Sequence, residues 1–169
     1  MTIKQKTKAR PRRMPQQKPG RSKQDYATPD DFIRAIEKRF GKITIDLAAS
    51  EKNAVCRRYI DKKTDSLKRP WPTRGILYLN PPYRRIAPWV KKCSEHRIKM
   101  EYGSKILVLV PASIATTWFE KYVLRKALIK PLQPRITFKR QKNPYPKDLM
   151  LLVYEPIICG FFIVIWKWK

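Results

Sequence analysis

The stretch Gly75-Ile76-Leu77-Tyr78-Leu79-Asn80-Pro81-Pro82-Tyr83 decides the fold. Four apolar residues in a row, between a glycine and a polar stop, read as a strand buried on both faces, the kind found in parallel sheets. Paired prolines then carry the chain out of the sheet extended and rigid, because each fixes φ and removes an amide donor. Working outward, Lys42 to Leu47 reads as a buried strand ending near Asp46, and Ile106 to Val110 as another, stopped by Pro111. Thr28-Pro29-Asp30-Asp31 reads as a helix start, with Thr28 as the cap, Pro29 at the first helical position and two acids at the positive end. Phe32, Ile36 and Phe40 then share one helical face, with Ile33 beside them, and Gly41 is the stop. A second helix near Pro88 carries Trp89, Val90, Cys93 and Met100; Trp118, Phe119, Tyr122, Val123 and Ala127 have helical spacing again. The polar segment Ala48 to Arg58 has helical character. Arg135 to Arg140, Leu149 to Tyr154 and Phe161 to Trp166 read as three more strands, the last two as a hairpin around Glu155 to Gly160. Helices alternating with buried strands predict a three-layer α/β sandwich around a mainly parallel sheet.

Charge sets the class of partner. The 169 residues hold 39 Lys and Arg against 13 acids, a formal net charge of +26. A compact body cannot neutralise that excess internally, so it predicts attraction to a polyanion, nucleic acid before an anionic membrane or an acidic protein. Residues 1–24 carry nine Lys or Arg, three prolines and no acid. Such a segment buries too little apolar surface to fold alone and is expected to be a disordered basic arm, with the folded domain spanning 25–169. The arm has no apolar core segment that would make it a signal peptide, and the longest apolar run, Ile157 to Trp166, is shorter than the roughly 20 residues that cross a bilayer. No membrane attachment is expected. Cys56, Cys93 and Cys159 form no C-x-x-C pair, which speaks against a disulfide framework and a zinc site and for a reducing compartment. His96, the single histidine, lies in a charged helical stretch and is expected on the solvated surface; no metal is expected.

In sheets of this kind, ligands bind at the carboxyl ends of the strands, and Asp46 and Asn80 both stand at such ends. The Asn80 side-chain carbonyl and the Pro81 main-chain carbonyl are two acceptors on a rigid segment. Together they can take both hydrogens of an amine and turn its lone pair toward a methyl donor, while Tyr83 offers a ring face for a purine. A proline-rich turn that merely ends a strand is the alternative in a chain with 15 prolines. The tetrapeptide also serves enzymes that methylate RNA bases or protein glutamine.

The ordered set Tyr26-x-Thr28-Pro29, Ile45-Asp46-Leu47-Ala48-Ala49-Ser50, Asn53-Ala54-x-Cys56-x-x-Tyr59, Asp65-x-Leu67, Trp71 and Asn80-Pro81-Pro82-Tyr83 resembles the phage-type DNA N-6-adenine-methyltransferase (Dam) family. Looser matches follow in Leu109-Val110-Pro111-Ala112, Thr117-Trp118-Phe119, Arg135-Ile136-Thr137-Phe138 and Pro144-x-Pro146. The resemblance implies a Rossmann-like S-adenosylmethionine-dependent methyltransferase fold and methyl transfer to the amino group of adenine in double-stranded DNA, the base being flipped out. It implies a catalytic loop at Asn80, Pro81, Pro82 and Tyr83. Tyr26, Thr28 and Pro29 resemble the segment near the methionine part of S-adenosylmethionine. Asp46 and Ala48 resemble the first-strand cofactor motif, and Asp65 the acid that meets the cofactor adenine. It also implies a cytoplasmic site of action, in the host cell if the protein is phage-encoded. Ala48-Ala49-Ser50 stands where the wider class carries a glycine-rich turn, Arg84 stands where a small residue is commoner, and 157–169 has no counterpart.

Contact with nucleic acid is expected from Arg84 and Arg85 beside the catalytic loop and from Lys139, Arg140 and Lys142, in a stretch where charge alternates with aromatics. Three rival readings stay open at this point: methylation of RNA adenine, a binding module that has the fold without catalysis, and a structural protein that packs nucleic acid.

Overall fold

The computed structural model describes residues 26–158, 160 and 163–169; the basic segment 1–24 and Cys159 lie outside the described residues. Six strands form one sheet: β1 (Ile43–Asp46), β2 (Ile76–Leu79), β3 (Lys105–Pro111), β4 (Leu128–Gln133), β5 (Leu149–Tyr154) and β6 (Trp166–Lys167), in the order β1-β2-β3-β5-β4-β6. β1, β2 and β3 run parallel, β5 lies antiparallel between β3 and β4, and β6 joins β4 in parallel. The sheet is therefore mixed, with its parallel part at the end that holds Asp46 and Asn80.

All four residues of β2 and all six of β5 are buried, which explains why they read as continuous apolar runs. Alternate side chains enter two separate clusters. Leu77, Leu79, Ile106, Val108 and Val110 pack with Val90 and Cys93 of helix α2 (Ile86–His96) and Phe119 of the short helix α3 (Thr117–Tyr122). Ile76, Tyr78, Leu107 and Leu109 pack with Phe32, Ile33 and Ile36 of helix α1 (Asp30–Phe40). Each fully buried side chain of this size contributes roughly 1.5–3 kcal/mol. α1 ends as its sequence dictates: Gly41, at φ +100°, donates its amide to Glu37 O at 3.0 Å, with Lys38 and Arg39 in the last turn.

Several expectations are corrected. Thr28 does not cap α1: the cap position is Pro29, and the Thr28 hydroxyl turns inward to the Tyr78 hydroxyl at 2.8 Å. Ala48 to Arg58 is not helical. One turn forms over Ser50–Ala54 and stops, because the Asp46 carboxylate takes the amides of Ala48 and Val55 and no apolar stripe pays for further helix. Arg135 to Arg140 is a loop, not a strand. Ile136 and Phe138 are buried at alternate positions as in a strand, but the backbone bonds go to Tyr145, Gln141 and Ala27 instead of to a ladder. The strand lies earlier, at β4, where Lys130 and Pro131 break the apolar pattern; α3 correspondingly ends at Tyr122 and does not reach Ala127. β5 and β6 do not make a hairpin, since β4 lies between them and pairs Leu132 with Trp166; Phe161 and Phe162 are outside the described residues. His96 is half-buried, its Nε2–H donating to Pro72 O at 2.9 Å beside the Trp71 ring, and burial lowers its pKa.

Candidate functional site

β1 and β2 end side by side, with Asp46 paired to Tyr78 in register, so the residues that leave the two strands meet in space. A cavity of about 550 Å³ opens there, within the range of roughly 300–1,000 Å³ typical of small-molecule sites. Tyr26, Thr28, Asp46, Ala48, Asp65, Asn80 and Pro82 line it. Of the residues expected at the site, Pro29, Pro81 and Tyr83 are not among its walls: Pro29 sits at the start of α1, Pro81 is buried behind the loop, and Tyr83 turns elsewhere.

Asn80 is oriented by its donors. Its Nδ2 gives hydrogen bonds to Tyr26 O at 2.8 Å and Thr28 Oγ1 at 3.4 Å. Since a main-chain carbonyl can only accept, the amide nitrogen must face Tyr26, and Oδ1 is the end that presents an acceptor. Thr28 is held in turn by Tyr78, whose hydroxyl burial pushes above its ordinary pKa, so it stays a neutral partner. The segment Tyr26–Thr28 thus acts as a brace that fixes one side chain.

Asp46 is 2% exposed. Burial raises its carboxyl from 3.8 to about 6, against the opposing effect of the amides of Ala48 and Val55, each at 3.2 Å. At neutral pH it is still charged, and it faces the cavity. Asp65, in the left-handed region at φ +48°, lines the same cavity and pairs with the exposed Lys68 at 3.3 Å. Asp61 lines it too. Among the described residues, three of the chain's 13 acids therefore meet at one cavity of a protein with net charge +26, and Lys62 is the one cation in its walls.

Tyr83 belongs to a cluster of four rings. Tyr26 stacks on Phe138 at 4.9 Å, Tyr145 stands edge-on to both, and Tyr83 lies 5.7 Å from Tyr145 and 6.2 Å from Tyr26. Its hydroxyl is buried without a hydrogen-bond partner among the described residues, and burial holds its pKa well above the ordinary value. The cluster ties the loop at Asn80 to the basic loop after Phe138. There the Lys139 amide donates to Ala27 O at 2.9 Å, and Lys139 Nζ pairs with Asp30 at 2.6 Å. Arg84, Arg85, Arg140 and Lys142 are exposed.

Sequence reasoning missed Ala49, Ser50, Asn53, Ile60, Asp61, Lys62, Ser66 and Trp89, all cavity residues. Trp89 read as one more apolar residue of α2, and nothing in its spacing separates a cavity wall from a core position. Among the described residues no group of three or more His, Cys, Asp or Glu is placed to hold a metal ion, and no helix is long and apolar enough to cross a membrane.

The structure is that of an α/β protein with an acidic cavity at the carboxyl ends of parallel strands and Asn80 in its wall. The sequence model of the DNA N-6-adenine-methyltransferase (Dam) family matches residues 16–157, and the chain belongs to that family. A DNA N-6-adenine-methyltransferase of Escherichia phage T1 is 36% identical over 123 residues, which cover 73% of this chain and 50% of that protein. The matched region thus spans about half the length of the phage T1 relative.

Proposed function

We propose that this protein transfers a methyl group from S-adenosylmethionine to the exocyclic amino nitrogen of adenine in double-stranded DNA, on a three-layered, Rossmann-like methyltransferase fold. The observation that carries the reading is the acidic cavity in a strongly basic chain, with Asn80 in its wall and the Asn80 amide nitrogen tied to Tyr26 O. S-adenosylmethionine supplies an electrophilic methyl on a sulfonium and carries an ammonium, so it gains from carboxylates that would repel nucleic acid. Asp46 and Asp65 would hold its cationic and hydrogen-donating groups, and Tyr26, Thr28 and Ala48 would shape the methionine side, with Pro29 acting only through the backbone of Thr28.

Asn80 Oδ1 would accept one hydrogen of the adenine amine, and the Pro81 carbonyl the other once the loop turns it toward the cavity, whose walls it does not line as it stands. These acceptors would orient the nitrogen lone pair toward the bound methyl donor and favour positive charge on that nitrogen. The proton lost afterward goes to solvent. Tyr83 gives its ring face to the purine, which requires it to leave its place among Tyr26, Phe138 and Tyr145. The base must leave the duplex, at a cost of a few kcal/mol offset by stacking and hydrogen bonds in the pocket. Arg84, Arg85, Lys139, Arg140 and Lys142 hold the backbone through phosphates, a role independent of sequence.

Transfer of a tritiated methyl group to unmethylated duplex DNA and, separately, to RNA tests the reading. Incorporation into DNA is expected. Incorporation into RNA alone, or into neither, overturns it, and the second result favours a nucleic-acid-binding module without catalysis.

A further inference from the structure

The wall of the cavity that carries Asp65 and Ser66 belongs to a loop, residues 65–71, with no strand or helix of its own. Two side chains hold it, Lys92 from outside the loop and Trp71 from its end. Lys92, on α2, gives its ammonium hydrogens to three main-chain carbonyls of that loop: Ser66 O at 2.7 Å, Leu67 O at 3.0 Å and Arg69 O. An ammonium has three donors, and all three are used here on one loop. The cation also lies 4.6 Å from the centre of the Trp71 ring. Trp71, buried at the end of the loop, gives its indole N–H to Ser66 O and Ser66 Oγ, both at 2.9 Å. Among the described residues Lys92 is the one side-chain cation on all three carbonyls, and Ser66 O takes the Trp71 indole N–H as well, while Asp65 is kept in a left-handed conformation that non-glycine residues seldom adopt. Lys92 lies three residues after Trp89, which lines the same cavity from α2. One helix therefore sets two walls of the site, and it starts directly after the Asn80–Arg85 segment.

We propose that Lys92 is a positioning residue for the cavity: it touches no ligand, but by gathering the carbonyls of Ser66, Leu67 and Arg69 it holds Asp65 and Ser66 where they meet the cofactor. The inference rests on the reading of the cavity as the S-adenosylmethionine site. A lysine that merely stabilised the fold would act independently of Asp65. A positioning lysine acts through it, and a double-mutant cycle separates the two.

The experiment is calorimetric binding of S-adenosylmethionine to the full chain, to Lys92→Met, to Asp65→Asn and to the double variant. Each single substitution is expected to weaken binding on the order of tenfold, the weight of one hydrogen bond to a charged group. The double variant is expected to bind about as well as the weaker single. Losses that multiply, or Lys92→Met binding like the parent, overturn the proposal while leaving the cavity reading intact. A parent that binds no cofactor overturns both. If Lys92→Met fails to fold, the same cycle with Lys92→Arg decides, because the planar guanidinium retains the charge but cannot converge on three carbonyls.

Discussion

Asp46→Asn is expected to make the cofactor-free protein more stable and the cofactor bind less well. The carboxylate is buried and charged at neutral pH, and its pKa stands at about 6 in the folded protein against an ordinary 3.8. A raised carboxyl pKa means that the fold favours the protonated form. Its contribution is fully present below pH 3.8 and is lost as the pH rises through about 6. That rise corresponds to about 3 kcal/mol withheld from the native state at pH 7.5. Asparagine removes the charge but retains only one acceptor for the amides of Ala48 and Val55, and a lost bond costs about 1 kcal/mol. The net gain is about 2 kcal/mol, or about 4–8 °C in melting temperature for a domain of this size. Differential scanning calorimetry at pH 7.5 and 4.5 reads it directly; at the lower pH the charge-derived part falls to about a third, because the native aspartate is by then protonated. Calorimetric titration with S-adenosylmethionine should show affinity falling by about tenfold or more as a charged partner is lost. A melting temperature that is unchanged or lower at pH 7.5, or a difference that does not depend on pH, would refute the reasoning. Such a trade of stability against binding is what a functional carboxylate leaves behind.

Other substitutions probe the rest of the site. Asn80→Ala should retain cofactor binding and cut turnover on the order of a hundredfold or more, as loss of one preorganised transition-state contact does. It should also lower the melting temperature slightly, since Tyr26 O loses its donor; turnover near the parent rate would remove Asn80 from the mechanism. Tyr83→Phe removes a buried hydroxyl that has no partner among the described residues and should leave stability equal or up to about 1 kcal/mol higher. Turnover should stay within a few-fold of the parent, because the ring face is the working part, and steady-state kinetics beside thermal unfolding check both. Deleting residues 1–24, which hold nine Lys or Arg and no acid, should weaken DNA binding and flatten its salt dependence by up to several units of slope at about 0.9 per phosphate contact. Turnover at saturating DNA should survive, and an unchanged slope would assign the arm to something other than phosphate.

The strand ends that frame the cavity were legible because they coincide with strong local rules. Ile76–Leu79 followed by Asn80-Pro81-Pro82 can hardly be anything but a buried strand with a rigid exit, and Asp46 at the end of a second strand follows from the same pattern. Where the reading failed, a tertiary contact had overridden a local signal. Thr28 has a capping residue's identity but is needed as the brace between Tyr78 and Asn80. Residues 135–140 alternate in burial like a strand because they pack over Tyr26 and beneath Tyr145, a contact that no periodicity reveals. Trp166 and Trp168 look like the end of a tail, yet they pack against Phe32 of α1, more than 130 positions earlier in the chain. The acidic lining was hidden for the same reason: Asp46, Asp61 and Asp65 are scattered among lysines in sequence and gather only when β1 and the following loops close around the cavity.

The central claim concerns which atom receives the methyl group. Incubation of unmethylated duplex DNA with the full-length protein and S-adenosylmethionine bearing a trideuterated methyl group, followed by digestion to nucleosides and mass spectrometry, addresses it most directly. Direct transfer to the adenine amine predicts N6-methyladenine with all three deuterium atoms retained, and its disappearance with Asn80→Ala. Label on cytosine, or unlabelled DNA under conditions in which cofactor and DNA both bind, would contradict the account.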